Sequence, residues 1–175
     1  MTGPDLTRSV LPSPLGDIVV LADGQGVLHG LDFAGEGDRL DQLVARYWPR
    51  ARITPGEAPP PVARALAAYF DGDARALDAL PVAEGGTAFQ RKVWAALRSI
   101  PAGAVWSYAD LARNVGRPAA VRAVGQANGA NPVSLVQPCH RVIASGGGLG
   151  GYAGGLERKS WLLAHEGAGL QVHPD

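Results

Sequence analysis

Short apolar or alternating runs open the chain at residues 9–11, 16–22 and 27–33. Side chains of a strand alternate between two faces, so these runs predict three strands of a small sheet. Pro12 and Pro14 separate the first pair, and Asp23-Gly24 stands between the second, a dipeptide that favours a hairpin. The period then changes. Leu40, Leu43, Val44 and Tyr47 recur at helical spacing and predict an amphipathic helix over 38–48. Residues 55–61 form a proline-rich connector, after which Val62, Leu66, Tyr69 and Phe70 mark a second helix ended near Gly72. Residues 73–86 read as a polar loop, and a domain boundary is placed there, giving domains 1–84 and 85–175.

Beyond the boundary the pattern is helical and carries start signals. Thr87 with Gln90 three residues on makes a capping box ahead of Val93, Trp94 and Leu97. Ser107, Tyr108, Ala109 and Asp110 open a short helix that stops at Gly116. Pro118 stands where the first position of the next helix is expected; that helix runs to about Gly129, and Asn131-Pro132 breaks it. Two short helices joined through Gly116 are a helix-turn-helix candidate, although most such pairs in proteins are core packing. An apolar stretch at 133–136 leads into Pro138, Cys139, His140, Arg141 and Val142, with a strand expected to emerge at Val142-Ile143. A glycine-dense loop at 146–155 precedes a last helix over 156–166 closed by Gly167. The tail, 168–175, carries no interpretable pattern, which is compatible with disorder. The fold class is α/β (α+β): a small N-terminal mixed domain with a short β-sheet and helix, then a mainly helical C-terminal domain containing the helix-turn-helix.

Composition narrows the function. No apolar run approaches the roughly 20 residues that span a bilayer, and the first residues lack a secretory pattern, so a cytoplasmic protein with no membrane partner is expected. A single cysteine excludes an intramolecular disulfide and argues against a structural zinc site; no metal and no cofactor are expected. The formal net charge of zero hides an asymmetry. Residues 1–84 hold seven Arg and no Lys against twelve acids, whereas 85–167 hold nine Lys or Arg against three acids. A basic second half points to an anionic partner, with nucleic acid the first candidate; a dipolar solvated surface explains the charge equally well.

The candidate chemistry centres on Cys139 and His140. A thiol needs a neighbouring base or cation to become a good nucleophile, but adjacent residues need not face each other. Pro138 restricts the backbone just before the thiol. Asn131 is an ordinary turn residue before proline, or an amide that braces the cysteine turn. The helix expected over 118–129 carries Ala119, Ala120, Ala123, Gly125, Ala127 and Gly129, with Arg122 as its long charged side chain. Gly125 inside a helix costs about 1 kcal/mol relative to alanine. Close helix packing or approach to a nucleic-acid groove would each explain such a surface.

Taken together, Arg122-Ala-Val-Gly125, Asn131-Pro132, Pro138 through Val142, Gly151-Tyr152, Gly154-Gly155, Leu162-Leu163 and Glu166-Gly167 resemble the O6-alkylguanine-DNA alkyltransferase family. The resemblance covers roughly 87–167, and is looser in the first half, through Ser13 to Gly16 and the early strands. It implies that Cys139 accepts an alkyl group irreversibly, with His140 a base acting through water and oriented by Glu166. It implies that Tyr108 gives a proton to the departing guanine and helps turn the nucleotide out, and that Asn131 braces the turn. Arg122 would fill the vacated base stack, and Ala123, Gln126 and Gly129 would meet the minor groove of duplex DNA carrying O6-alkylguanine. Gly151, Tyr152, Ala153 and Ser134 would line the substrate pocket of a monomeric protein; O4-alkylthymine is a further candidate substrate. Gln137, Ser134 and Ala153 depart from the family's common residues, which bears on substrate range and rate. Two other readings stand beside this one: a lesion sensor without transfer, whose relatives replace the cysteine, and a hydrolase using Cys139, His140 and Glu166.

Overall fold

The computed structural model describes residues 3–35 and 38–168. The tail beyond 168, for which the sequence offers no pattern, lies outside the described residues. Two compact units divide the chain: the residues up to Gly86 together with Pro132–Val136, and Thr87–Asn131 together with the chain from Gln137.

The first unit is built on a four-stranded sheet of order β3-β2-β1-β4. Its strands are β1 (Asp5–Leu11), β2 (Ile18–Ala22), β3 (Leu28–Phe33) and β4 (Arg52–Pro55). β1 pairs antiparallel with β2, and β2 antiparallel with β3. The Asp23-Gly24 signal marks a real hairpin with a wider loop: the Asp23 carboxylate accepts from the N–H groups of Gln25 (2.9 Å) and Val27 (3.0 Å). β4 runs parallel to β1 and was not expected from the sequence. All its residues are exposed, so no apolar alternation betrays it; backbone pairing and the Arg52–Asp5 ion pair (2.8 Å) hold it. Helix α1 (Arg39–Tyr47) buries Leu40, Leu43 and Val44, and helix α2 (Pro60–Phe70) starts on prolines, which suit a first helical turn. Leu6, Val19, Leu21, Leu40 and Val44 form one core cluster under Trp48 and Ala51.

The outer edge of β3 is covered by two short segments rather than left open, which removes a template for unwanted pairing. Leu28 exchanges bonds with Pro81 (2.9 Å) and Ala83 (2.8 Å), and Leu31 with Pro132 (2.9 Å) and Ser134 (2.8 Å). The expected polar loop at 73–86 thus supplies an edge, and it buries Leu77 and Leu80. Within the second of these segments, Leu135 holds a positive φ of 71° while the Val136 N–H donates to the Ser134 carbonyl at 2.8 Å. A γ-turn with positive φ is rare and strained for a branched side chain.

The second unit begins with helix α3 (Ala88–Leu97), whose capping box is formed as expected. The Gln90 N–H donates to Thr87 Oγ1 (3.1 Å) and the Thr87 N–H to Gln90 Oε1 (2.9 Å). A short strand β5 (Trp106–Ser107) leads into helix α4 (Tyr108–Asn114), capped in the same way by Ser107 and Asp110. Helix α5 (Val121–Gly129) follows through a turn at Gly116, whose φ of 77° suits glycine. Pro118 does not begin α5. It lies in a turn closed by Ala120 N–H to the Arg117 carbonyl (2.8 Å), because its fixed φ serves the second position of a turn as well as a first helical position. Trp94 Nε1 donates to the Ala127 carbonyl (2.8 Å) and ties α3 to α5. Strand β6 (Val142–Ile143) pairs parallel with β5, and helix α6 (Leu156–His165) ends on Glu166 as its C-cap, with Gly167 at φ 78°.

Candidate active site and nucleic-acid interface

Cys139 begins a single 3-10 turn, Cys139–Arg141, and is buried. Its position is set from the backbone outward. Pro138, at φ −78° and ψ 73°, is the centre of an inverse γ-turn closed by the Cys139 N–H on the Gln137 carbonyl (2.7 Å). Asn131 Nδ2 donates to that same carbonyl at 2.7 Å. Asn131 is fully buried, and its side chain is bonded to the turn. Asn128, on the buried face of α5, gives a longer bond of 3.4 Å to the Cys139 carbonyl.

The next residue points at the end of α6. His140 Nε2 lies 2.8 Å from Glu166 Oε2, both side chains being completely buried. Arg141 Nε and Nη2 grip the two oxygens of the same carboxylate at 2.8 and 3.1 Å, while its Nη1 donates to the Ile100 carbonyl at 2.7 Å. Burial alone would raise the Glu166 carboxyl, but hydrogen bonds and charge from His140 and Arg141 outweigh it and bring the pKa down to about 2. Burial is also the main influence on His140, pushing its pKa down against the opposing pull of Glu166. The imidazole is therefore neutral at pH 7, and the permanent charge of Arg141 keeps its partner ionised. An ionised carboxylate only accepts, so the neutral ring donates through Nε2 and keeps its lone pair on Nδ1. That Nδ1 is buried with no protein partner. An imidazole lone pair is thus available on the residue that follows Cys139.

Tyr108 and Lys159 lie near Cys139, and Tyr152 near His140. Tyr108, half-buried at the start of α4, has its phenol pKa pushed up by burial and then by the electrostatic influence of Cys139, against a hydrogen bond from Asn128. Lys159 on α6 is fully buried; its ammonium donates to the carbonyls of Val142 (2.6 Å), Leu149 (2.5 Å) and Gly151 (3.1 Å). Burial brings its pKa down to about 8, with Cys139 opposing. Those bonds tie α6 to β6 and to the middle of the glycine-rich loop. Gly150 in that loop has φ 69°, and a Cβ there would stand 3.1 Å from the Tyr108 ring. Tyr152 is partly buried with its ring centroid 6.5 Å from that of His140, and Gly151 and Ala153 beside it are exposed. Ser134 belongs to the first unit, where its N–H donates to Leu31.

On the far side of α5 the side chains are bare. Arg122, Ala123, Gln126 and Gly129 are all exposed, while Val124, Ala127 and Asn128 face inward. Close packing does not explain Gly125: a Cβ there would lie 3.8 Å from Tyr108, an ordinary contact.

Arg141, Lys159 and Asn128 lie outside the site residues that the sequence suggests. For Lys159 a signal existed. It shares the helical face of Leu162, Leu163 and Glu166, so two charged residues occupy an otherwise apolar stripe. Asn128 likewise lies beside Ala127 and Val124 on an inward face. Arg141 offers no such pattern, because its partners come from distant segments.

Comparison with known proteins fits this geometry. Residues 88–168 match the family model of the 6-O-methylguanine DNA methyltransferase DNA binding domain, and residues 6–83 that of the ribonuclease-like domain. The class is that of DNA-binding methyltransferases. A methylated-DNA–protein-cysteine methyltransferase of Salmonella typhimurium is 47% identical over 164 residues, spanning 93% of this chain and 96% of that protein. The crystal structure of the Mycobacterium tuberculosis O6-methylguanine methyltransferase aligns with a TM-score of 0.76 at 35% identity, covering 93% of each chain. The structure of M. tuberculosis OGT in complex with DNA aligns with a TM-score of 0.75 at 36% identity, covering 94% of this chain and 93% of that one. The chain belongs to the 6-O-methylguanine DNA methyltransferase family. Among the described residues no helix is long and apolar enough to cross a membrane.

Proposed function

We propose that this protein repairs O6-alkylguanine in duplex DNA by direct, irreversible transfer of the alkyl group to Cys139, once per molecule. The observation that carries the reading is the buried His140, held on Glu166 at 2.8 Å with its Nδ1 unpartnered, next in the chain to a buried thiol. His140 Nδ1 takes the thiol proton through a water molecule; Cys139 sulfur forms the bond to the alkyl carbon, and the carbon–O6 bond breaks with its electrons on guanine. Tyr108, a phenol kept protonated by its surroundings, supplies the proton that neutralises the departing base. A thioether has no hydrolytic exit, so the reaction stops after one turnover.

A guanine inside a duplex cannot reach a buried thiol, so the nucleotide must leave the stack, at a cost of a few kcal/mol. The exposed face of α5 suits that task. Small residues let the helix approach the narrow minor groove, and Arg122 is long enough to occupy the vacated position. Gly151, Tyr152 and Ala153 on the loop wall are the proposed pocket. O4-alkylthymine would be a second substrate if that wall tolerates a pyrimidine.

The test uses duplex DNA carrying a tritiated O6-methylguanine. Label should move to the protein fraction and plateau at one equivalent, and Cys139→Ser should take up none while still binding the duplex. Continued release of methanol or repeated turnover would contradict the reading.

A further inference from the structure

Gln137 is a buried polar side chain for which the transfer mechanism has no task. A buried primary amide is costly unless its donors and acceptor are engaged. Its Nε2 donates to Asn131 Oδ1 at 2.7 Å, while Asn131 Nδ2 donates to the main-chain carbonyl of Gln137, also at 2.7 Å. The two residues therefore close a ring of reciprocal bonds. The carbonyl in that ring is also the acceptor for the Cys139 N–H, at 2.7 Å. Reversing the Asn131 amide would set donor against donor at the side-chain contact and acceptor against acceptor at the carbonyl, so the Gln137 side chain adds a second bond that holds Asn131 facing one way. An aliphatic residue at 137 would fill the space and keep the main-chain acceptor but remove the donor that holds Asn131 Oδ1.

We infer that Gln137 is a positioning residue for Cys139: its side-chain amide fixes Asn131, and Asn131 fixes the carbonyl from which the cysteine turn hangs. The consequence for the reaction rests on Cys139 being the alkyl acceptor. The turn has three residues and a single closing bond, so it holds its torsion angles weakly alone. A second donor on the same carbonyl, itself locked, converts it into a defined platform for a nucleophile, whose displacement by an ångström is enough to slow chemistry severely.

The test compares the full-length protein with Gln137→Met, which keeps length without the amide, and Gln137→Glu, which keeps shape but donates only when protonated. Two quantities are read: the single-turnover rate of methyl uptake from saturating O6-methylguanine duplex, and hydrogen exchange of the Cys139 amide relative to α3. Gln137→Met should slow uptake about tenfold at unchanged duplex affinity. It should speed exchange at Cys139 while α3 keeps its protection. Gln137→Glu should behave likewise at neutral pH, and its exchange should return toward that of the parent protein as the carboxyl protonates. Parental uptake and Cys139 protection in Gln137→Met would overturn the inference, as would protection lost equally across α3. If the parent protein takes up no methyl group, the acceptor reading fails instead, and exchange alone decides whether Gln137 braces the turn.

Discussion

Around Cys139 the polar side chains are buried and paired: Glu166 with His140 and Arg141, Lys159 with three carbonyls, Asn131 with the cysteine turn. Along the outer face of α5, Arg122, Ala123, Gln126 and Gly129 are exposed. Both regions lie in the second unit, yet they obey different energetics. A charge taken from water is tolerable only with its partners in place, so the first region is cooperative and unforgiving. The second presents exposed side chains to solvent, so their identity can be set by a partner. Substitutions in the first should cost stability and chemistry together; those in the second should leave the fold alone.

The largest effect expected is that of Glu166→Gln. It strands the buried Arg141 guanidinium and should cost about 3–5 kcal/mol in urea unfolding, as breaking a buried pair does. A loss below about 1 kcal/mol would mean that the cluster is not cooperative. Its pH signature sharpens the point. The Glu166 pKa is about 2 in the fold against an ordinary 4.5, so its contribution is complete above the ordinary value and lost as pH falls toward 2. The linked loss amounts to about 3 kcal/mol. His140, lowered from 6.5, adds a further loss as pH drops below that value, because the unfolded chain takes up the proton first. The urea midpoint measured against pH should show both limbs in the parent protein, and Glu166→Gln should lack the lower one.

On the exposed side, Arg122→Ala should weaken duplex binding by about tenfold and reduce the slope of log affinity against log salt by up to about one, with an unchanged melting temperature. Fluorescence anisotropy across a salt series checks this, and a drop in melting temperature would erase the contrast. The smallest effect is a gain. The site of a Cβ at residue 125 is open to ordinary contact with Tyr108, so Gly125→Ala should raise stability by about 0.5–1 kcal/mol through helix propensity. A loss would show that α5 and Tyr108 are packed more tightly than the 3.8 Å contact indicates.

Much of this architecture is legible in the chain. The capping boxes at Thr87 and Ser107, the helical spacing of Leu40, Leu43 and Val44, and the strands at 16–22 and 27–33 are local signals, and local physics determines those elements. β4 escapes because four exposed residues are held by pairing with β1, a contact 47 residues away in sequence at its ion pair. The start of α5 is displaced from Pro118 because proline serves turns and helix starts alike. At the site, Cys139, His140, Asn131 and Glu166 gain meaning from a family pattern. The grip of Arg141 on Glu166 and the return bond from Gln137 to Asn131 depend on three-dimensional proximity that no spacing rule encodes.

The most direct test of the central claim is intact-protein mass spectrometry after incubation with duplex DNA bearing one O6-methylguanine. The expected result is a gain of a single methyl group that maps to the Cys139 peptide and does not increase with excess substrate. A protein that binds this duplex and remains unmodified, or carries the methyl group on another residue, would contradict it.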